Sequence, residues 1–363
     1  MRFSSSSRIL FCLAIVIIID YQNVNVHGFV SSVDPRCRRP TAVVRFVVQD
    51  NKSSAQRTTH DNSNQQKQEQ LPLGPPNYLS SLPVDKNNGA KLFRYDNFGV
   101  KQEFEVFHLS NTPEIFLLRN YISTLERYTI QWNGRNHPKE ATVYDSNDAT
   151  SKTSGRSRSN VSWLPPWAAN GIPLTLARCS AQLLLSPELK GCNSRGAMAL
   201  CEPMQLVHYD SKGEFILHHD AMGRAVTVLS YLNGVGGTWF PLANLDRKYG
   251  PIPRNKLDTL QMIEELDLKP GKDGLLLATA GHHDGLEEEY DNDCIVHIHP
   301  GDTVAFYNYN GPNNQVTNDE SRDLCDVDWS AIHAALPAKE EKFIATLWYQ
   351  GGPLIRRPES SDG

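Results

Sequence analysis

Tyr209-Asp210-Ser211-Lys212-Gly213-Glu214-Phe215-Ile216-Leu217-His218-His219-Asp220 follows a run in which Met204, Leu206 and His208 alternate with Gln205, Val207 and Tyr209. That period of two predicts a β-strand, in which residues two apart project from one face. His218 and Asp220 then aim an imidazole and a carboxylate at a single point. A third ligand, a His from a distant strand, would complete a facial triad with three open positions. Such a site suits non-haem Fe(II). Taken alone, the pair equally fits a His and an Asp hydrogen-bonded to one another at a strand end.

Outward from this stretch, Val226-Val228-Ser230 alternates with Thr227-Leu229-Tyr231, and Ile295 to Ile298, Thr303 to Tyr307 and Phe343 to Tyr349 also read as strands. On the N-terminal side, Glu105-Val106-Phe107 and Ile115 to Leu118 are expected strands. Ser123 is an expected N-cap with Glu126 completing a capping box, and Leu174 to Leu185 reads as an amphipathic helix. Helices followed by short strands predict a mainly β fold with flanking helices, a sandwich or jelly roll. The folded part is expected to span about residues 91–352, before a polar tail over 353–363. Ahead of it, Gln49 to Asn88 is Gln, Asn, Ser and Lys with almost no aliphatics. It lacks the apolar surface that offsets chain entropy and reads, within 29–90, as a disordered linker or transit segment.

The first residues read as an address. Arg2 and Arg8 precede the apolar run Ile9 to Ile19, whose rise as a helix is about 16 Å, roughly half a bilayer core. A signal peptide ending near Gly28 is expected, with an uncleaved signal anchor as its rival; only the anchor would bring a membrane contact. Entry to the endoplasmic reticulum follows from either. The Ser- and Arg-rich stretch after Phe29 also resembles a bipartite plastid presequence. The net charge of -5 is mild, so no nucleic-acid partner is expected. Seven cysteines without a C-x-x-C argue against a zinc ribbon. In an oxidising lumen, disulfides are expected most simply among Cys179, Cys192 and Cys201. Asn51-Lys52-Ser53 and Asn160-Val161-Ser162 are sequons that matter only on the secretory route.

Further motifs extend the pattern. Tyr209, Gly213, Phe215, His218 and Asp220 fit Y-x-x-x-G-x-[YF]-x-x-H-x-D, and Arg224 to Asn233 fits R-x-x-T-x-L-x-Y-L-N. Gly236-Gly237 precedes Thr238-Trp239-Phe240-Pro241, and Pro300-Gly301-Asp302 opens a strand. Ile332-His333-Ala334 and Glu341-Lys342-Phe343 close the series. In this order the chain resembles the prolyl 4-hydroxylase family of Fe(II)- and 2-oxoglutarate-dependent dioxygenases over nearly its whole folded part. The resemblance implies a double-stranded β-helix (jelly roll) core and His218, Asp220 and His333 as the iron ligands. It implies Lys342 as the base for 2-oxoglutarate; the alternative is a solvated strand-edge lysine. Tyr209 would donate to the same carboxylate, or be a core tyrosine with a satisfied hydroxyl. Thr227 and Trp348 resemble cosubstrate-pocket positions, with plain packing as the alternative. Arg224 matches a peptide-contacting position, although an Arg framing a strand end fits too.

The implied reaction is oxidative decarboxylation of 2-oxoglutarate coupled to hydroxylation of a C–H bond by O2, with ascorbate re-reducing stray iron. Its substrate would be a peptide or protein, proline-rich by resemblance. Departures fall at the rim: only Ala221-Met222-Gly223 separates Asp220 from Arg224, one residue is missing before Thr238, and Leu245 to Cys294 fills a usually short link. They leave a non-prolyl substrate open. A non-catalytic jelly-roll binding protein and a zinc hydrolase are the other readings. Neither needs a buried lysine nine residues past the last His. Among decoys, His282-His283-Asp284 reads as a solvated acidic loop, and His297 and His299 as structural. His208 and His219 are expected to face away from His218 by strand alternation.

Overall fold

A computed structural model of the chain describes Leu79 and residues 82–135, 139–140, 156–185, 201–220, 223–245, 249–279, 292–309 and 327–350. The leader, most of the linker, the Asn51 sequon, His282-His283-Asp284, Cys12, Cys37, Cys192, Cys325 and the tail lie outside the described residues. Among the described residues no helix is long and apolar enough to cross a membrane. The linker's last part is packed: Leu79 is fully buried, and the Asp85 carboxylate accepts the Asn87 and Asn88 N–H groups in an Asx turn.

The strands are β1 Ala90–Tyr95, β2 Lys101–Asn111, β3 Glu114–Arg119, β4 Lys139–Glu140, β5 Arg156–Leu164, β6 Met204–His218 and β7 Arg224–Tyr231. There follow β8 Gly237–Phe240, β9 Leu275–Ala278, β10 Ile295–His297, β11 Thr303–Tyr307, β12 His333–Leu336 and β13 Lys342–Gln350. The helices are α1 Thr124–Arg135, α2 Ile172–Leu184 and α3 Lys256–Glu265. Pairing runs β1-β2-β3-β11-β7-β13-β6-β12-β8-β9-β10, with β5 on β6 and β4 on β5. All pairs are antiparallel except β9 with β10. The N-terminal half of β6, with β13, β7 and β11, forms one face, and its C-terminal half, with β12, β8 and β9, forms the other. This is the expected double-stranded β-helix.

Three apolar clusters follow from this layering. Tyr209, Phe215, Tyr231, Phe240, Val304, Phe306 and their neighbours fill the space between the faces. Leu176 and Leu183 of α2 and Ile130 of α1 cover the outer side of the first face, with Leu206, Val228 and Leu347. Ile263 of α3 covers the second with Trp239 and Leu276. The stretch after Leu245, read as an insertion, therefore supplies both α3 and a core strand, β9. At the turn into β11, Gly301 sits at φ 95°, and a Cβ there would come within 2.6 Å of the Ile122 carbonyl.

The capping box is present. Ser123 N–H donates to Glu126 Oε2 at 3.1 Å, and Glu126 N–H donates to Ser123 Oγ at 3.4 Å. Glu126 also forms a buried ion pair with Arg94 of β1, whose Nε donates to the Tyr121 carbonyl at 2.8 Å. Of the disulfides expected among Cys179, Cys192 and Cys201, none joins Cys179 to Cys201, whose thiols are free. Burial pushes Cys179 up to about 11 and Cys201 up to about 12. Glu126→Gln would leave the Arg94 guanidinium uncompensated in the core. It should lower unfolding free energy by about 3–5 kcal/mol in urea denaturation, whereas Lys101→Gln at the exposed Lys101–Glu103 pair should cost less than about 1 kcal/mol.

Candidate metal centre

The centre is built where β6 meets β12. His333 stands directly opposite His218, and Ala335 opposite Phe215. Three residues of β6 thus face two of β12, which is a β-bulge, and a bulge re-aims the side chains beyond it. Phe215 and His218, three apart, both face the interior, with ring centroids 3.6 Å apart. The same bulge explains His208. Ten residues from His218 is an even step, so unbroken alternation would keep His208 on the same face, contrary to the reason expected from the sequence. Instead His208 lies outside, stacked on Phe343 at 4.2 Å. His219 is tied elsewhere, its Nε2–H donating to the Asp328 carbonyl at 2.8 Å.

His218, Asp220 and His333 converge, with one ligand atom from each lying within 4.8 Å of the others. His218 Nε2 is 3.8 Å from Asp220 Oδ1, and His333 Nε2 is 3.9 Å from Asp220 Oδ2. Each imidazole turns its Nδ1 to a backbone carbonyl, His218 to Ile216 at 2.9 Å and His333 to Ala331 at 3.0 Å. A proton on Nδ1 leaves the Nε2 lone pair pointing at the centre, the tautomer that metal-bound histidines adopt. Phe240 and Phe306 pack on the His333 ring at 5.2 and 4.9 Å. Desolvation, then the neighbouring His333, push His218 well below its usual value, so it is neutral and able to ligate. Burial alone would raise the Asp220 carboxyl, but His333, His218 and the Trp348 N–H outweigh it and hold the group below the carboxylate range.

Asp220 has two donors. Thr227 Oγ1 donates to Oδ2 at 2.9 Å and Trp348 Nε1 to the same oxygen at 3.0 Å. Thr227 in turn accepts from Asn308 Nδ2 at 2.9 Å. Of the two residues assigned to a cosubstrate pocket by resemblance, Trp348 lines the cavity beside the three ligands and Thr227 stands behind Asp220. Arg224 holds Glu202 with two bonds, at 2.7 and 2.9 Å, and lies 3.9 Å over the Trp348 ring. It frames the strand end and braces Trp348. His297 and His299 are exposed; His299 Nδ1 lies 2.6 Å from the Arg119 guanidinium, and neither reaches the centre.

Lys342 is 1% exposed. Its ammonium donates to the Leu336 carbonyl at 3.0 Å and lies 4.4 Å over the Tyr209 ring, directly across the β13–β6 ladder. Gly236, at φ 90°, makes room for its stem, since a Cβ there would come within 2.4 Å of Lys342 Cδ. Burial pushes Lys342 down to about 7, with Glu214 pulling weakly the other way. The cavity of about 30 Å³ beside the three ligands is lined by Tyr209, Phe215, Thr238, Thr346 and Trp348, and by one cation, Arg156. Arg156, which the sequence reading did not single out, opens β5. Its signal was slight: an Arg in a Ser-rich run without a strand pattern.

No family model and no curated protein matches the chain. Solved structures that resemble it include a viral collagen prolyl hydroxylase of Paramecium Bursaria Chlorella virus-1 in complex with 2OG. The two share 14% identity over 65% of this chain and 94% of that one, with a TM-score of 0.34. A Trichoplax adhaerens prolyl hydroxylase bound to a hypoxia inducible factor peptide fragment shares 16% identity over 66% and 84%, with a TM-score of 0.34. A Pseudomonas putida prolyl-4-hydroxylase shares 15% over 66% and 94%, at 0.32.

Two measurements test the centre. Trp348→Phe removes one of the two donors to Asp220 and should weaken Co(II) binding by about 10-fold in a metal titration, without a change of fold. Lys342 is protonated in the unfolded chain up to the ordinary lysine value of 10.5 but only to about 7 when folded. The unfolded state therefore binds more protons between those values, and stability from this group rises with pH through that window. Lys342→Met should be more stable than the wild type by a few kcal/mol below pH ~7, the gap closing by pH ~10. Equal urea midpoints at both ends would contradict this.

Proposed function

We propose that the chain is an Fe(II)- and 2-oxoglutarate-dependent dioxygenase of the prolyl 4-hydroxylase type, hydroxylating a C–H bond of a peptidyl proline. The observation that carries this is the union of two features in one β-helix. One is a set of two Nε2-presenting histidines and a carboxylate, which fits a six-coordinate metal with open positions. The other is a lysine buried among strands beside it with no acidic partner in contact among the described residues. A buried cation costs several kcal/mol unless an anion offsets it, and a dicarboxylate cosubstrate would do so. A hydrolytic zinc site or a mere binding module has no use for that lysine.

Iron(II) with 2-oxoglutarate and O2 supplies the C–H hydroxylation, with release of succinate and CO2. His218, Asp220 and His333 would hold the metal on one side and leave the other to cosubstrate and O2. Thr227 and Trp348 keep the Asp220 carboxylate oriented and ionised. Tyr209 and Lys342 offer a hydroxyl and an ammonium to the distal carboxylate, while Phe215 and Phe306 keep the interior apolar. Ascorbate is assigned as the reductant of idle iron, and the secretory route as the destination, with the plastid as the alternative. Both of these rest on the sequence. The short Ala221-Met222-Gly223 connection makes a non-prolyl substrate the second reading.

The reading is tested by succinate release from the iron-loaded chain with 2-oxoglutarate, ascorbate and a panel of proline-rich peptides. His333→Ala should lower turnover by at least about 100-fold, since changes merely behind a metal ligand cost 10–100-fold, with the circular dichroism spectrum kept. Succinate release that ignores every peptide would move the substrate away from proline. No release under any condition would refute the dioxygenase assignment.

A further inference from the structure

Trp163 stands where the interior of the β-helix opens. Val161, two residues earlier on β5, packs in the cluster between the faces. Strand alternation sends Trp163 to the same side, opposite Gln205 of β6, yet it is 45% exposed. Its ring centroid lies 6.0 Å from that of Trp348, with 41° between the planes, inside the range of packed aromatic pairs. Trp348 is buried, lines the cavity beside the three ligands and donates its indole N–H to Asp220. Two indoles thus lead in direct succession from a metal ligand to solvent.

An indole can give up an electron while keeping its N–H proton, whereas a phenol sheds its proton as it is oxidised. Burial pushes the Tyr209 hydroxyl up, so this other oxidisable ring of the cavity holds its proton and with it its electron. A positive charge on the buried Trp348 ring would lack water and would face the Arg224 guanidinium at 3.9 Å. On Trp163 the same charge is hydrated. Burying a charge is costly, so an electron deficit on Trp348 moves outward.

We propose that Trp348 and Trp163 are an electron relay that returns the metal centre to its resting state, one electron at a time, when no substrate is in place. This rests on the dioxygenase reading above, in which the protein has to exclude side reactions of its cofactor. Trp348 gives an electron to the metal side, Trp163 refills Trp348, and an enediol reductant in solvent, such as ascorbate, refills Trp163. The reductant loses one electron and one proton per passage; that proton goes to solvent, and the metal side takes one from solvent. Two passages deliver the two electrons that a C–H bond would have given. Without reductant, Trp163 itself loses two electrons and takes up water, gaining one oxygen atom and releasing two protons.

The test is peptide mass spectrometry of the full chain after incubation with Fe(II), 2-oxoglutarate and O2 but no peptide substrate, each reading divided by the succinate released. Without ascorbate, Trp163 should gain oxygen while Trp167 and Trp132, which are 76% and 71% exposed, stay intact. Ascorbate should abolish the gain. Trp163→Phe should move the added oxygen to Trp348 and lose the protection by ascorbate, and Trp348→Phe should leave Trp163 intact. Oxidation that follows exposure, with Trp167 and Trp132 modified first, would point to oxidants diffusing from free iron and overturn the relay. So would an unmodified Trp163 in the absence of ascorbate, or ascorbate protection in Trp163→Phe equal to that of the wild type. Succinate released only when a peptide is present would leave no idle turnover for the relay to serve, and overturns it too. No succinate with or without peptides is a separate result: the dioxygenase reading falls, and the relay with it.

Discussion

The pairing of β6 with β12, one residue out of step, is the constraint on which the centre depends. The extra residue in β6 brings Phe215, His218 and Asp220 to one interior, and the register sets His218 opposite His333 with ring centroids 4.2 Å apart. Two imidazoles held so close, each with its Nδ1 on a carbonyl, turn their lone pairs and the Asp220 carboxylate toward one point. That concentration of electron density costs stability in the bare chain. A cation bound there would offset it and would link metal affinity to folding.

Support for the centre spreads along neighbouring strands. Asp220 leans on Thr227 of β7 and Trp348 of β13, Thr227 on Asn308, and Trp348 on Arg224, which Glu202 holds in turn. Gln350 reaches Glu202 from the end of β13 at 2.5 Å. Every member of this polar chain is half-buried or buried and makes at least one of these contacts, while the buried Asn308 Oδ1 accepts no hydrogen bond among the described residues. Arg224 thereby braces Trp348, the donor to Asp220, through its hold on Glu202.

The outer layers serve the same end. α1 and α2 cover one face and α3 the other, so that both sheets can bury apolar residues on two sides while the interior stays narrow. The buried Arg94–Glu126 pair ties β1 to the start of α1, and Asp302 fixes the turn into β11 by accepting the Asn120 N–H at 2.7 Å and the His299 N–H at 2.9 Å. These are long-range contacts between turns and strand ends, and they hold β3 and β11 in the register that places Phe306 on His333.

The strand period, the capping box at Ser123 and the ordered series of motifs were legible in the chain. The period sufficed for a sandwich or jelly roll and for His218 beside Asp220, because side-chain period is a local property, while His333 came from the resemblance; the fold brings ligand atoms of all three within 4.8 Å of one another. β5, β8 and β9 were not legible. Arg156 to Leu164 is mostly polar and becomes a strand only because β6 offers it a ladder, while Leu275 to Ala278 is too short a run to tell from its neighbours. The face taken by His208 depends on a bulge that exists only when β6 meets β12. Likewise, sequence gave no means to tell which cation lines the cavity, since Lys342 and Arg156 are 186 positions apart and their places follow from packing around Tyr209. Ligand identity is written in residue type and spacing; ligand direction is decided by cross-strand register and close packing, which no local stretch contains.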